Sequence, residues 1–513
     1  MARELTLSFT VQAAGAPALS AWRVTGREAI SEPYCFDVDL YAEQDNAAGA
    51  SLIGKRGSLT MEIEDRKRVI DGVITRFEQL DAIHGSFAAY RARIEPSLVR
   101  LRMSRQNRIF GTIAPMSYPD IVTALLTGNA DRRLGIEDSA SMTADDYTLS
   151  LTQTYPSKDY TVQYDESDLA FVSRLMERLG IFYFFDERHA KDVMVIADAD
   201  VAFPDLAFDI PYLPPTLGRA QQSQTRHVSR FSVAWSPVTR RLWVSDYNPD
   251  SPQVKLSKET LVDKSGTGSI HDYGSHIRDE GGLNRYSQVR AEELAARGTV
   301  FSGESDEIGL VAGSRVRLVE HPVSRFNQRY LIVAVSHEAA VPIPGVPTGG
   351  LAPAQWRYLN RFEWIPGTTP FRPAQRTPWP RMPGVTTGTV VDTLGRDDPN
   401  SGYAPMDADG RYKVRLPLDV SGTADTNASC WIRMAQANVG AHSGIHFPLL
   451  VGTEVIIAHI NGDPDLPVIV GAVPNKANKS VVNSDFPGSN RIKTQSGIFV
   501  EMFDGGTRNN SGS

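Results

Sequence analysis

Short segments in which apolar and polar residues alternate recur along the 513-residue chain, and they constrain its fold more than any other feature. Clear examples are residues 5–9, 36–40 and 59–63, each bounded by Gly, Pro, Asp or Asn. Because the side chains of a strand point alternately to its two faces, such segments predict half-buried strands of antiparallel sheets or barrels. A single hydrophobic core stops growing near ~250–300 residues, so the sequence predicts a mainly β protein of about three or four domains.

Helices are few, and two of them have simple boundaries. Residues 117–128 start with a proline in the opening turn, end at Gly128 and carry apolar residues on one face, namely Ile121, Val122, Leu125 and Leu126. Residues 283–297 are followed directly by Gly298. Proline in the first turn and glycine after the last turn are common limits of helices. Both segments are therefore predicted to be helical.

A third helix is predicted to begin after Ser167, whose hydroxyl can cap the first turn, and to end at Gly180. Its apolar stripe at helical spacing consists of Leu169, Val172, Met176 and Leu179. An amphipathic helix must bury one face, so this stripe indicates core packing and not a cofactor site. The aromatic residues 181–185, directly after the helix, predict a buried strand.

Proline and glycine accumulate in two stretches, residues 341–353 and 366–383. The second stretch has little periodicity and predicts the main domain boundary, a linker over residues 371–385. Five short strands are predicted beyond it, over residues 385–391, 412–416, 430–435, 454–459 and 468–473. Five short strands within about 90 residues fit a small Greek-key barrel of the OB type.

The last part of the sequence, residues 475–513, is polar and alternates only at Ile498, Val500 and Met502. This part is too short for a core of its own, and a lone strand leaves the backbone groups of its edges unpaired. We therefore expect this strand to pair with other copies of the chain or with a continuation of it. The protein is accordingly expected to form oligomers.

Charge and cysteine content exclude several classes of protein. The net charge is -7 and the basic residues are scattered, which argues against a nucleic-acid partner. The N-terminus does not resemble a signal peptide, and no segment reaches the ~18 apolar residues of a membrane span, so we expect synthesis in the cytoplasm and export only by other means. The two cysteines, Cys35 and Cys430, are expected to be buried as small hydrophobes rather than joined in a disulfide.

Candidate reactive motifs are weak. Residues 49–56 (GASLIGKR) resemble a phosphate-binding loop, but Arg56 stands where a magnesium-binding Ser or Thr is needed. His442 and His446 have the spacing of two zinc ligands on a helix, but Gly444 lies between them and predicts a loop, and no third ligand is evident. We therefore predict neither nucleotide binding nor a metal site here.

The remaining candidates are polar side chains in turns and loops. His271 and His276 lie in a region rich in Gly and Asp, and two carboxylate pairs lie on polar loops, at residues 145–146 and 397–398. Solvation is the ordinary role of such groups, and the sequence lacks the Gly-x-Ser-x-Gly elbow of a serine hydrolase. No catalytic, cofactor-binding or metal-binding residue is predicted, and the protein is predicted not to be an enzyme.

A series of motifs resembles the hub domain of the VgrG family of type VI secretion spike proteins. The series runs through residues 26–34 (GREAISEPY), 72–77 (GVITRF), 90–96 (YRARIEP), 104–110 (SRQNRIF), 162–168 (VQYDESD), 180–185 (GIFYFF), 313–314, 330–331 and 336–337. Further motifs resemble the OB segment of VgrG and of phage spike proteins, namely residues 430–436 (CWIRMAQ), 447–448, 452–455 and 462–467 (GDPDLP).

These motifs mark a fold rather than a reaction. Their glycines and prolines are turn residues, and Trp431 and Phe447 are expected to fill the barrel interior. Residues 490–497 (NRIKTQSG) are similar to the start of the family's β-helix needle. The sequence departs from the family pattern because it stops soon after residues 505–507, and we expect the needle to be missing or cut away.

The resemblance implies four regions. Residues 1–370 would form a phage-hub-like region of two β-barrel subdomains with helical insertions, and residues 371–385 the linker. Residues 386–475 would form the OB-fold domain, and residues 476–513 the neck and the beginning of an intertwined trimeric β-helix needle.

The resemblance also implies a function, namely a homotrimeric spike that caps the Hcp tube, contacts baseplate components and delivers effectors. A full needle would bear a PAAR-type tip protein and effectors, and the spike would meet the target membrane only transiently. The protein would be cytoplasmic during assembly and then secreted by the type VI machine, without a cofactor. Two alternatives stay open: a hub-spike protein of a phage tail or extracellular contractile injection particle, and a hub with hydrolytic activity.

Overall fold

The structure is a computed structural model that describes residues 4–13, 17–42, 49–80, 88–128, 142–186, 193–214, 225–343, 357–392, 396–398, 401–419 and 429–504. Most of the first proline- and glycine-rich stretch and residues 505–507 lie outside these ranges.

The chain forms two compact units. Unit 1 comprises residues 1–105, 118–155 and 167–379, and unit 2 comprises residues 106–117, 156–166 and 380–513. The change of unit after Trp379 falls within the predicted linker, whereas two stretches of the predicted hub region join unit 2. Compactness alone does not define the predicted domains, and their bounds stay a prediction.

The three predicted helices are present. The described α-helices are α1 (Gly49–Leu52), α2 (Tyr118–Leu126), α3 (Asp168–Leu179) and α4 (Glu280–Ala296), with 3-10 turns at Ser97–Arg102, Asp200–Ala202, Ser324–Phe326 and Ile460–Gly462. The Ser167 hydroxyl accepts the Ala170 N–H at 3.2 Å. Helix α4 starts earlier than predicted because the Asp279 carboxylate accepts the Gly282 N–H at 2.6 Å and caps the first turn.

The buried face of α3 differs from the predicted stripe. Val172 and Met176 are buried, but Leu169 and Leu179 are only half-buried, and Phe171 and Leu175 are buried in addition to the predicted pair. Arg174 lies on the buried side, with its guanidinium 4.1 Å from the Trp379 ring centre. The long polar side chain that interrupts the apolar pattern is therefore part of the packing, which periodicity does not reveal.

Strands make up most of the regular structure, so the chain is mainly β as predicted. The strands within residues 5–211 are β1 (Leu5–Val11), β2 (Ser20–Ala29), β3 (Glu32–Ala42), β4 (Arg56–Ile63), β5 (Arg66–Gln79), β6 (Ala88–Glu95), β7 (Arg105–Phe110), β8 (Tyr147–Ser150), β9 (Thr161–Ser167), β10 (Phe182–Asp186), β11 (Val193–Ala197) and β12 (Asp205–Pro211).

The later strands of unit 1 are β13 (Val228–Trp235), β14 (Arg241–Asp246), β15 (Leu256–Leu261), β16 (Ser269–Tyr273), β17 (Thr299–Ser305), β18 (Arg315–Val319), β19 (Arg329–Ala340) and β20 (Tyr358–Pro366). Those after the linker are β21 (Val385–Val390), β22 (Val414–Arg415), β23 (Arg433–Met434), β24 (Val439–Gly440), β25 (Ser443–Gly444), β26 (Glu454–His459), β27 (Pro467–Ala472), β28 (Ser489–Lys493) and β29 (Phe499–Phe503).

One large sheet organises unit 1. Its path runs β1-β4-β5-β6-β3-β2-β19-β20-β17-β13, and β18 pairs with β19 and β12. The first six strands of the chain therefore form one half of the sheet, and the later strands form the other half. The halves meet where β2 pairs antiparallel with β19, with Gly26 opposite His337. The second half buries an aromatic core that includes Phe301, Tyr330 and Trp364.

Smaller elements complete unit 1. Strands β10, β11 and β8 form one small sheet, and β15, β14 and β16 form another. The second small sheet shares a core with α4, built from Leu242, Val244, Leu256, Ile277, Leu283 and Tyr286. Strand β10 is buried along its whole length, which confirms the prediction from its aromatic residues.

Unit 2 contains a small closed barrel. Its sheet order is β22-β21-β26-β27-β23, and an antiparallel bridge between Tyr412 and Ile432 joins the two ends of this order. The five predicted strands are all present, although β22 and β23 are short. Ile109, from the stretch 106–117, packs against the barrel core.

Gly26 is required at the junction of the two halves of the large sheet. It lies opposite Phe36 on one side and His337 on the other, and an added Cβ would overlap the Phe36 ring. We expect Gly26→Ala to lower the free energy of unfolding of unit 1 by about 1–3 kcal/mol through overpacking. Denaturation followed by tryptophan fluorescence measures this change.

Gly282→Ala provides the matched control within unit 1, because an added Cβ there meets only ordinary contacts, Asp279 Oδ1 at 3.4 Å and Ile277 at 3.9 Å, and its φ is not positive. This variant is expected to keep or slightly raise stability. An equal loss in both variants would contradict the overpacking explanation.

No α-helix among the described residues combines the length and the apolar character needed to cross a membrane.

Candidate functional site

The last described segment of the chain is a β-hairpin. Strand β28 pairs antiparallel with β29 in a register that places Arg491 opposite Glu501, and these side chains form an ion pair at 2.8 Å. The connecting turn ends at Gly497, whose φ of +94° is in the region that favours glycine. The Thr494 N–H donates to the Ile498 carbonyl at 2.8 Å and closes the turn.

This hairpin corrects the prediction of a lone strand. The strand that contains Val500 pairs within its own chain, with residues 489–493. The partner strand escaped prediction because Ile492 is its one apolar residue and gives no alternation. The outer edges of the hairpin pair with no other strand among the described residues, so the expectation of incomplete pairing holds for those edges.

One face of the hairpin is an exposed apolar strip. Ile492 and Val500 lie opposite each other and Met502 follows on the same face, with exposures of 49%, 57% and 61%. A two-stranded hairpin is marginally stable in water, and contiguous exposed apolar surface marks an interaction site. The hairpin is therefore a candidate assembly site.

A second exposed apolar group lies on the barrel of unit 2. Val439, on β24, and Ile445, just after β25, are exposed, and so is Phe447. The prediction that Phe447 fills the barrel interior is wrong, because its side chain is 54% exposed. Trp431 is half-buried and lies under the Lys413 ammonium, 5.3 Å from the ring centre.

His442 and His446, the two histidines close in sequence to this exposed apolar group, lie outside any described helix. His442 lies in the turn between β24 and β25, and His446 lies in the segment after β25. The Nε2 atom of His446 is 3.1 Å from the Tyr412 hydroxyl, and its Nδ1 atom is 3.1 Å from the Gln436 amide nitrogen. Both ring nitrogens of His446 therefore have local partners, which agrees with the predicted loop.

Two backbone donors of the phosphate-loop-like segment, residues 49–56, are in use. The Gly54 N–H donates to the Ile74 carbonyl at 2.9 Å, and the Lys55 N–H donates to the Leu52 carbonyl at 3.1 Å. A phosphate-binding loop needs such N–H groups directed at the ligand. Residues 49–56 thus comprise α1, the turn after it and the first residue of β4.

Other polar side chains that were considered as candidates from the sequence form local hydrogen bonds. His271 lies 2.7 Å from the Ser245 hydroxyl, and Asp146 accepts the Thr143 N–H at 2.7 Å. Asp397 accepts from Arg415 at 2.9 Å. Cys35 and Cys430, both described, form no disulfide.

A buried ionic cluster at the junction of the two sheet halves was missed by sequence reasoning. The Arg68 guanidinium donates to Glu28 at 2.9 Å, and His337 Nε2 lies 3.1 Å from the other oxygen of the same carboxylate. His337 Nδ1 lies 2.7 Å from the Tyr358 hydroxyl, which itself accepts from Asn360 at 3.1 Å. All five residues are buried, so the cluster fixes the junction and offers no access to a substrate.

Both ring nitrogens of His337 have partners. Nδ1 lies 2.7 Å from the Tyr358 hydroxyl, and Nε2 lies 3.1 Å from Glu28 Oε1 and 3.3 Å from Arg68 Nη1. Burial and the charge of Arg68 lower the pKa of His337, even though Glu28 acts in the opposite direction. For Glu28, burial raises the pKa, but Arg68 and His337 outweigh it and the net shift is downward.

These shifts predict acid sensitivity. A His whose pKa is lowered on folding stabilises the fold above its unfolded pKa of about 6.5, and this stabilisation is lost as pH falls below that value. Glu28 adds a second loss as pH falls below its ordinary value of 4.5. We therefore expect the denaturant concentration at the unfolding midpoint of unit 1 to decrease as the pH is lowered from 7 to 5.

His337→Gln should reduce the change of the unit 1 midpoint with pH, the slope of midpoint against pH, by removing one titrating group. Part of the slope should persist, because burial also lowers the pKa of His321. Midpoints at a series of pH values check this result, and an unchanged slope in the variant would exclude His337 as a source.

Comparison with known protein families identifies the fold. Residues 27–342, more than half of the chain, match the phage tail baseplate hub (GPD) family. The chain belongs to the phage tail baseplate hub family. Residues 404–473 of this hub protein match the type VI secretion system/phage-baseplate injector OB domain, which confirms the predicted OB fold around the barrel of unit 2.

Curated relatives of the hub protein confirm the VgrG resemblance. It is 29% identical over 500 residues to the type VI secretion system spike protein VgrG1b of Pseudomonas aeruginosa, covering 96% of the chain and 63% of the relative. It is 31% identical over 503 residues to VgrG5 of the same organism, covering 94% of the chain and 58% of the relative. The chain thus spans about three fifths of the length of these two relatives. A further relative is the actin cross-linking toxin VgrG1 of Vibrio cholerae, of which the chain covers 38%.

Solved structures share the fold of the hub protein. The E. coli c3393 protein, described as a type VI secretion component similar to the T4 tail proteins gp27 and gp5, matches with a TM-score of 0.63 and 24% identity, covering 91% of this chain and 100% of that one. A chain of the half-lidded Francisella PdpA–VgrG complex matches with a TM-score of 0.60 and 9% identity, covering 98% and 83%.

Proposed function

We propose that three copies of this chain form the hub and neck of a type VI secretion spike. The observation that carries the proposal is the exposed apolar strip of the C-terminal hairpin, directly after an OB barrel. Spike relatives align with 94–96% of the chain, and the hub and OB matches lie at residues 27–342 and 404–473. The spike transmits force and binds partners without breaking a bond.

The physical reason for assembly lies in the hairpin. Its strip is too exposed to be stable alone, and its outer strand edges pair with no other strand in the part of the chain that the structure describes. Sister hairpins around a threefold axis supply both an apolar cover and strand partners. Phe499 lies on the opposite face of the hairpin and is also exposed, so both faces gain from assembly.

The other partners follow from the same proposal. The trimer caps the Hcp tube, is held by baseplate components, and presents a PAAR-type tip protein and effectors on a longer needle. It is assembled in the cytoplasm and leaves with the contracting machine, meeting the target membrane only during that step. Co-purification of the wild-type chain with Hcp supports this machine, whereas binding only to a phage tube protein supports the phage alternative.

The assembly test uses Val500→Asp. A charge in the strip costs binding energy in every subunit of the trimer, so we expect the mass measured by light scattering to change from three chains to one. The control is Val201→Asp, since Val201 is exposed on unit 1 and remote in sequence from the hairpin. Trimers in both variants, or a monomeric wild type, would exclude the hairpin as the assembly site.

A further inference from the structure

Unit 1 contains a small cavity with an apolar wall. Its volume is about 200 Å³, below the roughly 300–1,000 Å³ of small-molecule sites and suited to a single side chain. Its apolar lining includes Val300, Val333, Ile365 and Phe371. Residues from α3, from the end of α4 and from the segment 371–376 enclose it against the large sheet.

Charged residues line the rest of this cavity. Four arginines lie there, Arg27, Arg297, Arg372 and Arg376, together with four glutamates, Glu32, Glu177, Glu293 and Glu363. The charges balance formally, so the character of the site depends on which hydrogen-bonding groups are already used. A carboxylate offers only acceptors, whereas a guanidinium offers five N–H donors.

Three of the carboxylates are engaged. Glu293 accepts from Arg290 and Arg297. Glu177 accepts the backbone N–H groups of residues 376 and 377, at 3.0 Å and 2.9 Å, and the Thr377 hydroxyl at 2.8 Å. Glu32 is bonded by Arg376.

Glu363 is the exception among the carboxylates. It is exposed, and no described residue forms an ion pair with it. A molecule bound in the cavity must therefore leave the Glu363 carboxylate accessible to water.

The guanidinium donors are only partly used. The nearest carboxylate oxygen to Arg27 Nε belongs to Glu32 and lies 3.8 Å away, too far for a hydrogen bond. Arg297 and Arg376 each donate through one nitrogen to a carboxylate. Burial lowers the pKa of Arg297, and the positive charges of Arg290 and Arg376 lower it further. The cavity therefore has spare guanidinium donors, on side chains that are 49% (Arg27), 58% (Arg297) and 72% (Arg376) exposed.

We propose that this cavity is a docking pocket for the end of a partner polypeptide, namely an apolar C-terminal residue. The apolar side chain fills the cavity, and the terminal carboxylate accepts hydrogen bonds from Arg27, Arg297 and Arg376. The size of the cavity favours one side chain, and the spare donors favour an anion. The pocket lies within unit 1 and does not depend on the proposed trimer.

The test uses two probes that differ only in charge, N-acetyl-4-fluorophenylalanine and its amide, with binding to the full chain followed by fluorine NMR. We expect the acid to bind with a Kd on the order of 1 mM and the amide at least about fivefold more weakly. Equal binding of the acid and the amide would exclude the carboxylate site. If neither probe binds, the pocket itself is excluded.

Variants locate the binding. Arg27→Gln and Arg297→Gln are each expected to weaken the acid about fivefold or more and to leave the amide unchanged. Arg230→Gln is the control, because Arg230 is exposed and does not line the cavity. Ala296→Leu fills the cavity and should abolish binding of both probes while keeping the wild-type unfolding midpoint. Wild-type binding in Ala296→Leu, or an equal loss in Arg230→Gln, would overturn the proposal.

Discussion

Replacing Arg68 with methionine is expected to lower the free energy of unfolding of unit 1 by about 3–5 kcal/mol. Arg68 is 4% exposed, and its guanidinium is the cationic partner of Glu28 at 2.9 Å. Removal of the cation leaves a buried carboxylate whose remaining partners among the described residues are His337 at 3.1 Å and the Ala312 N–H at 3.4 Å, which costs far more than a lost surface pair. Guanidinium chloride unfolding followed by tryptophan fluorescence measures the loss.

Two further variants separate burial from charge. Arg361→Met removes ion pairs with Glu338 and Glu304, but the Arg361 side chain is 55% exposed, so the variant should cost less than about 1 kcal/mol. Replacing Glu28 and Arg68 together by methionine should recover much of the loss, because an apolar pair leaves no buried charge. If Arg68→Met costs no more than Arg361→Met, the cluster does not hold the sheet junction.

The cluster shows where sequence reasoning reaches its limit. Alternation places Glu28 on the same side of β2 as buried Val24, and His337 on the same side of β19 as buried Val335. This inward placement of ionisable residues was a usable signal of a buried pair. Their partnership was not predictable, because 309 residues separate them and pairing of β2 with β19 is a long-range contact.

Local capping residues predicted the limits of a helix better than apolar character predicted the burial of a side chain. Ser167 and Gly180 set the limits of α3, since a cap and a left-handed glycine act within one turn. Phe447 was misplaced because apolar character alone does not decide between a barrel interior and an exposed patch. The surroundings decide it: Val439 and Ile445 are exposed in the same segment, so the segment forms surface.

The hairpin was predicted in part. Alternation located β29, but its partner was expected in other copies of the chain or in a continuation, and the structure pairs it with residues 489–493 of the same chain. The partner strand β28 is mostly polar, and its pairing depends on the turn at Gly497 and the ion pair between Arg491 and Glu501. Such pairing becomes visible only when the register is known.

The second large effect is expected at Asp465, which joins two distant stretches of unit 2. Its carboxylate accepts the Val162 N–H at 2.6 Å, and both residues are buried. Asp465→Ala leaves that N–H without its acceptor and should lower the free energy of unfolding of unit 2 by about 2–3 kcal/mol. Chemical denaturation of the full chain, with hydrogen exchange at Val162 as a local readout, measures it.

Asp465→Asn separates the hydrogen bond from the charge, because the amide oxygen still accepts the Val162 N–H. This variant should retain most of the stability and of the hydrogen-exchange protection, whereas equal losses in both variants would assign the effect to charge. The same geometry predicts that residues 380–504 alone form an unstable barrel, since they lack Ile109 and the segment bonded to Asp465. Adding residues 106–117 and 156–166 should restore a cooperative transition, because the barrel core is completed by chain that comes from the hub sequence.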